Sequence, residues 1–290
     1  MKRLLYGAFL LATATPLGAQ EPLPERLSDT GLYSPGTREI AEGILPFSPQ
    51  YPLWSDGARK RRWLALPPGA TIDATDPDAW EFPPGTRAWK EFGYGHPVET
   101  RYIERLEDGT WRFATYVWDA DGENAILASE EGMAFHTVED APGGRYPIPS
   151  RDDCLACHEG GAGPLLGLNA LQLSPIRDLK APHAEALEPD HVDLPALVAA
   201  GILQNLDVRL LDQPPQITAT SDNGRAALGY LHSNCGICHN DKGPLWDLDF
   251  SLLQSALPAS RSTDRTLVST LLRESESVAP GVDRRIVPGH

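Results

Sequence analysis

The sequence predicts an α+β fold, with a β-rich N-terminal domain over residues 51–141 followed by a mainly helical region over residues 142–290. Three observations carry that reading. Apolar and polar residues alternate with period two in several runs between Tyr51 and Ala128. The chain changes character near Pro142-Gly143-Gly144, after which such runs are hard to find. Cap residues ahead of helix-spaced apolar positions then recur.

Taken in order, Met1 to Ala19 reads as Lys2-Arg3, the apolar run Leu4 to Ala14, and Pro16-Leu17-Gly18-Ala19 before the polar Gln20-Glu21. Those are the three parts of an export signal, too short to cross a membrane comfortably as a helix. The mature protein is therefore expected in the periplasm, without stable membrane insertion. Residues 20–50 are a Pro-rich lead-in. In the β-rich domain, Val98 to Leu106 alternates, Glu107-Asp108-Gly109 turns, and Trp111 to Trp118 alternates back. Asp119-Ala120-Asp121-Gly122 turns again into Asn124 to Ala128, which completes a three-stranded meander. The aspartates of that turn superficially resemble a calcium loop, but the glycine is misplaced and the ligand at the twelfth position is missing, so a hairpin turn is expected. Six of the seven Trp lie between Trp54 and Trp118, as expected of a small sheet pinned by large aromatics.

Beyond residue 142, Pro195 to Leu203 reads as a short helix capped by Asp193 or Leu194. Ser221-Asp222-Asn223-Gly224 caps a helix that runs through Arg225 to His232 into Cys235. Ser262 or Thr263 caps Asp264 to Arg273, where Leu267, Leu271 and Leu272 share a face.

Composition excludes several function classes. The 290 residues carry 25 Lys plus Arg against 40 Asp plus Glu, a formal charge of −15. Loss of Lys2 and Arg3 with the signal leaves 23 against 40, about −17. That balance opposes a nucleic-acid surface, which needs cations against phosphates. It favours a basic partner and a fast, salt-sensitive encounter.

All four cysteines fall in two copies of one pentapeptide, Cys154-Leu155-Ala156-Cys157-His158 and Cys235-Gly236-Ile237-Cys238-His239. Cys-x-x-Cys-His is the attachment signature of c-type haem. Two thiols three residues apart can add to the two vinyl groups on one porphyrin edge, and the imidazole that follows reaches the iron. Two covalently bound haem c groups are expected. Cys154, Cys157, Cys235 and Cys238 would make the thioethers, with His158 and His239 as proximal ligands. Other readings fit less well. Two disulfides leave the paired histidines without a reason. A four-thiolate zinc site would join knuckles 81 residues apart, against a usual separation of about 15–20. A thioredoxin-like pair needs a βαβ context that is not visible. Both motifs are followed by Gly-Pro-Leu, at Gly163-Pro164-Leu165 and Gly243-Pro244-Leu245, which points to two related environments.

Tyr51-Pro52-Leu53-Trp54-Ser55-Asp56-Gly57-Ala58, Phe82-Pro83-Pro84-Gly85-Thr86, Val98-Glu99-Thr100-Arg101, Ile148-Pro149-Ser150-Arg151-x-x-Cys154 and Leu231-His232-x-Asn234-Cys235-Gly236-x-Cys238-His239-Asn240 together resemble a family of exported bacterial dihaem c-type cytochromes. The resemblance covers most of the chain from Tyr51 onward. It implies electron transfer and a cytochrome c-like C-terminal region, but no substrate. Similar proteins continue past a segment like Ile286-Val287-Pro288-Gly289 to a Met-Pro-Pro distal ligand, whereas this sequence stops at His290, 51 residues after His239. A C-terminally truncated chain is the expectation. Besides Met1 the only methionine is Met133, the expected distal ligand of the first haem. The other imidazoles are His96, His136, His183, His191, His232 and His290.

The expected function is single-electron transfer between exported redox proteins. Two alternatives stand beside it. One is a dihaem peroxidase-like oxidoreductase with one open iron. The other is a β-domain binding module, with Trp54, Asp56, Trp63 and Trp89 lining a groove and haem acting as a redox relay.

Overall fold

A computed structural model describes residues 22–161, 163–257, 262–271, 273–279 and 282–286. The expected signal at Met1 to Ala19, and Leu272 and His290, lie outside the described residues. The fold is α+β. A six-stranded antiparallel sheet is built from β1 (Leu45–Pro46), β2 (Arg59–Ala65), β4 (Arg87–Gly93), β5 (Pro97–Arg105), β6 (Trp111–Trp118) and β7 (Ala125–Leu127), in the order β1-β2-β4-β5-β6-β7. The meander read from alternation is therefore β5-β6-β7. Its first turn closes through Gly109 N–H to Leu106 O, with Asp108 accepting from the Thr110 amide and hydroxyl. Its second closes through Gly122 N–H to Asp119 O, with the Asp119 carboxylate accepting from the amides of Glu123 and Asn124, so those aspartates shape a turn.

The two faces of this sheet have different partners because side chains alternate along each strand. On one face Trp63, Trp89, Tyr102, Ala114, Tyr116 and Trp118 pack with Leu27 and Leu32 of the Pro-rich lead-in. Hydrogen bonds hold that cover in place: Trp89 Nε1 donates to Thr30 Oγ1 at 2.9 Å, and Tyr116 Oη to Pro24 O at 2.9 Å. On the other face Leu64, Ala88, Ile103 and Phe113 belong to the largest apolar cluster. That cluster takes in Cys154, Leu165, Leu171, Leu197 and Leu228, so it draws on residues from both sides of residue 142.

Three short pairings complete the strands. β3 (Ile72–Asp73) runs parallel to β10 (Leu203–Gln204), β8 (Met133–Thr137) pairs with β9 (Arg145–Ile148), and β11 (Glu274–Ala279) pairs with β12 (Val282–Arg284). The stretch after residue 142 thus contains strands that alternation did not reveal; β10 is two residues long and β9 four, too short for a pattern to register. Its helices are α1 (Arg151–His158), α2 (Leu194–Ala199), α3 (Arg209–Asp212), α4 (Asp222–Asn234) and α5 (Ser262–Thr270). Asp193 caps α2 by accepting from Ala196 N–H, and Ser221 caps α4 by accepting from Gly224 N–H. Much of the rest is turn and irregular chain held by the common core. No helix of the described residues is long and apolar enough to cross a membrane.

Candidate functional site

The first pentapeptide forms the second half of α1. Ser150 and Asp153 make a reciprocal capping box: Ser150 Oγ accepts from Asp153 N–H at 3.1 Å, and Asp153 Oδ2 accepts from Ser150 N–H at 2.9 Å. With α1 started there, Cys154, Cys157 and His158 stand at positions i, i+3 and i+4 and share one helix face. That face lies against the sheet: Cys154 is buried in the main cluster, and the His158 ring is 5.2 Å from that of Phe113 on β6. Burial raises the thiol pKa of Cys154 and, together with the nearby Cys238 thiol, that of Cys157.

His158 is held in one tautomer. Its Nδ1 is 2.6 Å from the carbonyl of Pro164. A carbonyl can only accept, so Nδ1 carries the hydrogen and Nε2 keeps its lone pair. Burial lowers the His158 pKa to about 4, so the ring is neutral at pH 7. A neutral imidazole fixed by a backbone acceptor on its far nitrogen is the arrangement of a metal-ligating histidine.

The second pentapeptide follows α4 directly. Cys235 N–H bonds to Leu231 O at the helix end, and the amides of Cys238 and His239 both bond to Cys235 O. Tyr51 and Trp54 fix this helix to the start of the β-rich segment: Gly229 lets the Tyr51 ring lie against the helix backbone, and Asn234 Oδ1 accepts from Trp54 N–H at 2.7 Å. His239 lies 4.5 Å from the Phe250 ring, and burial, with Arg285 nearby, lowers its pKa. Its Nδ1 is buried without a hydrogen-bond partner among the described residues. The two sites therefore differ in the acceptor behind the imidazole as well as in backbone setting.

The fold brings the two pentapeptides together. The Asn240 amide nitrogen is shared among Gly160 O at 2.9 Å, Gly236 O at 2.8 Å and Ile237 O at 2.9 Å. Gly160, two residues after His158, approaches so closely that a Cβ there would stand 2.9 Å from Ile237 O and 3.0 Å from Pro244 Cδ. Two cavities border the pentapeptides. One of about 550 Å³ has Cys154, Leu155, Trp111 and Phe113 in its wall, within the usual range for cofactor pockets of roughly 300–1,000 Å³. Another of about 270 Å³ runs between the loop after the first pentapeptide and the second, past Leu165, His232, Ile237 and Leu253.

All four cysteines are free thiols. Among the described residues no three His, Cys, Asp or Glu side chains converge as a metal cluster, so the thiols do not form a four-thiolate zinc site. The donor set suits a covalently attached haem at each pentapeptide: unpaired thiols three residues apart and a neutral imidazole beside them, fully oriented in the first. Met133, the expected distal ligand, is 39% exposed on β8, where it pairs with Ile148, and it lines none of these cavities. Of the other described imidazoles only His232 is buried, and its Nδ1 accepts from Gln254 N–H at 3.0 Å. Trp63 and Trp89 are core side chains at 4% and 1% exposure, which removes them from any surface groove. Trp54 is exposed, stacked 4.1 Å from His183. Comparison of the chain with protein families, curated proteins and solved structures finds no match.

Proposed function

We propose that this chain is an exported dihaem c-type cytochrome that carries single electrons between redox proteins, with residues 142–290 as its cytochrome c-like region. The observation that carries the reading is the His158–Pro164 contact, in a chain whose only four cysteines stand free in two Cys-x-x-Cys-His pentapeptides. Cys154 and Cys157 would hold one haem and Cys235 and Cys238 the other. Each S–H would add across a vinyl C=C, the sulfur bonding to one carbon and the thiol hydrogen passing to the other, so nothing would leave. His158 and His239 would be the proximal ligands. Bound haem c supplies reversible one-electron exchange at its iron. The chain itself fixes the His158 tautomer, buries the ring to keep it neutral, and clamps the two pentapeptides through Asn240, which sets the distance between the two redox groups. The excess of acidic side chains would steer a basic partner onto this protein.

Pyridine haemochrome analysis of the purified protein tests the reading. Two haems per chain are expected, and one after the paired change Cys154→Ser and Cys157→Ser. A wild-type protein without covalent haem refutes it. High-spin spectra with peroxide turnover, in place of low-spin spectra, would assign the protein to the peroxidase-like class instead.

A further inference from the structure

Strand register places three cations side by side on the face of the sheet that carries the first pentapeptide. Arg62 on β2 is directly opposite Lys90 on β4, and Lys90 directly opposite Arg101 on β5. Like charges in directly opposed positions destabilise a sheet, and these are drawn inward: Arg62 is 5% exposed, and Lys60, two residues along on the same face, has a side chain 4% exposed. The row separates two apolar clusters, one around Leu64, Ala88 and Ile103 and the other around Phe92, Val98 and Tyr146.

The acids within reach do not balance it. Arg101 pairs with Glu99 at 2.7 Å. Arg62 makes a two-pronged contact with Glu185, which Lys60 also approaches at 3.5 Å. Arg177 also feels Glu185, as well as Asp193, and donates to Ser48 O and Gln172 O. Among the described residues, Lys60, Arg62, Lys90 and Arg177 thus share Glu185 and Asp193, a local excess of positive charge. Among the described residues Lys90 has no hydrogen-bonded carboxylate or carbonyl partner; its ammonium sits 4.7 Å over the Phe92 ring, and burial with three neighbouring cations holds its pKa well below the usual lysine value.

Arg62 and Lys90 line the cavity of about 270 Å³, and so does Trp80, whose Nε1–H is a buried donor without an acceptor among the described residues. Most of the remaining wall toward the pentapeptides is apolar, with Phe82, Leu165, Ile237 and Leu253. Asp78, on the same wall, is occupied by the Ser255 hydroxyl and the Ala256 amide. The row also reaches the first pentapeptide: Arg101 is directly opposite Thr115 on β6, the strand whose Phe113 ring lies 5.2 Å from the His158 ring.

We infer that the Arg62–Lys90 end of this row is a carboxylate-binding site, and that its ligand is the propionate pair of the haem held at Cys154 and Cys157. The inference rests on the cytochrome reading above. Carboxylates match this local excess of positive charge, and the anionic edge of a haem matches a wall that carries Arg62 and Lys90 beside Phe82 and Leu165. Unmatched cations inside a protein are costly and persist where a partner ion pairs them.

The test uses the holoprotein and Lys90→Met, with exposed Lys180→Met as the charge control and Lys90→Arg to keep the charge. Haem content is read first by pyridine haemochrome, then the two reduction potentials and the propionate bending bands in resonance Raman. Loss of a nearby positive charge favours the ferric state, so K90M should keep both haems and lower one potential, by about tenfold in the reduction equilibrium, 59 mV for one electron. The propionate bands should shift in that variant, while K180M and K90R should leave both readouts near wild type. Full haem content with unchanged potentials and bands in K90M overturns the inference and leaves the cytochrome reading standing. Wild-type protein without covalent haem defeats both at the first measurement. Calorimetric binding of succinate to wild-type holoprotein, abolished by K90M, would assign the site to a soluble acid and also overturn it.

Discussion

Replacing Gly229 by Ala tests how the second pentapeptide is positioned. On an ordinary helix that change stabilises by about 1 kcal/mol, because Ala loses less backbone freedom than Gly. On α4 an added Cβ would stand 2.7 Å from Tyr51 Cζ and nearer still to Cδ1 and Cε1, against ordinary carbon contacts of about 3.5–4.0 Å. The ring would have to retreat by about 0.8 Å or more. It has little room to do so: Tyr51 is 2% exposed, its hydroxyl donates to buried Asp178 at 3.1 Å, and its backbone amide donates to Gln172 Oε1 at 3.0 Å. Overpacking of this kind costs roughly 1–3 kcal/mol, and the pinned ring puts the cost at the upper end. Net of helix propensity, G229A should lose about 1–2 kcal/mol, a fall in Tm of about 2–8 °C at about 2–4 °C per kcal/mol. Thermal unfolding of the holoprotein followed by circular dichroism measures it. In a Tyr51→Leu background, which withdraws the ring edge, the same change should cost less. An unchanged or raised Tm for G229A would show that Tyr51 and α4 are not in the contact described.

Two further changes probe the two faces of the fold. Trp89→Phe removes the Nε1–H donated to Thr30 and part of a side chain only 1% exposed, so the urea midpoint should fall by the equivalent of about 1–3 kcal/mol; an unchanged midpoint would mean that the lead-in is held by other contacts. Burial lowers the pKa of His232 to about 4, so between about pH 6.5 and pH 4 the unfolded chain binds a proton that the folded one does not. The stability linked to His232 is present above pH 6.5 and lost as pH falls toward 4, on the order of 3 kcal/mol for the full shift. His232→Asn, which keeps an acceptor for Gln254 N–H, should flatten stability over that range; an equally steep profile in the variant would exclude His232 as the source.

Parts of this architecture can be read from residues alone, and the rest depends on register. Alternation marks β5 and β6 because successive side chains enter different clusters, Tyr102, Ala114 and Tyr116 packing with the lead-in and Ile103 and Phe113 with the main core. It fails for β2, where Arg59-Lys60-Arg61-Arg62 reads as a solvated charge run; Lys60 and Arg62 point inward, and only the pairing with β4 and β5 reveals why they matter. The capping box of α1 was legible as Ser150 three residues before Asp153 ahead of the first cysteine, although the helix was not expected there. The cysteines and histidines of the two pentapeptides are visible because the spacing that covalent haem attachment would need is local in sequence. The acceptor behind His158 is a backbone carbonyl, hinted at only by the shared Gly-Pro-Leu. The proximity of two pentapeptides 81 residues apart has no local signature at all.

The two pentapeptides share a sequence pattern but not an environment. His158 sits on a helix pinned to a sheet, with its Nδ1–H bound to the Pro164 carbonyl and cations of that sheet nearby. His239 sits in a turn, its Nδ1 without a partner among the described residues, with Arg285 as the nearby charge. An imidazole that donates to a carbonyl is a more basic ligand than one that donates to nothing, which favours the ferric state. Cations near the ring system act in the opposite sense and favour the ferrous state. Both influences act on the first site, where they partly cancel, while the second lacks the acceptor. The difference in potential between the two haems of the proposed cytochrome would therefore depend on Lys90 as well as on the axial ligands. Asn240 holds the two sites in contact, so that difference would act over a short path within a single chain.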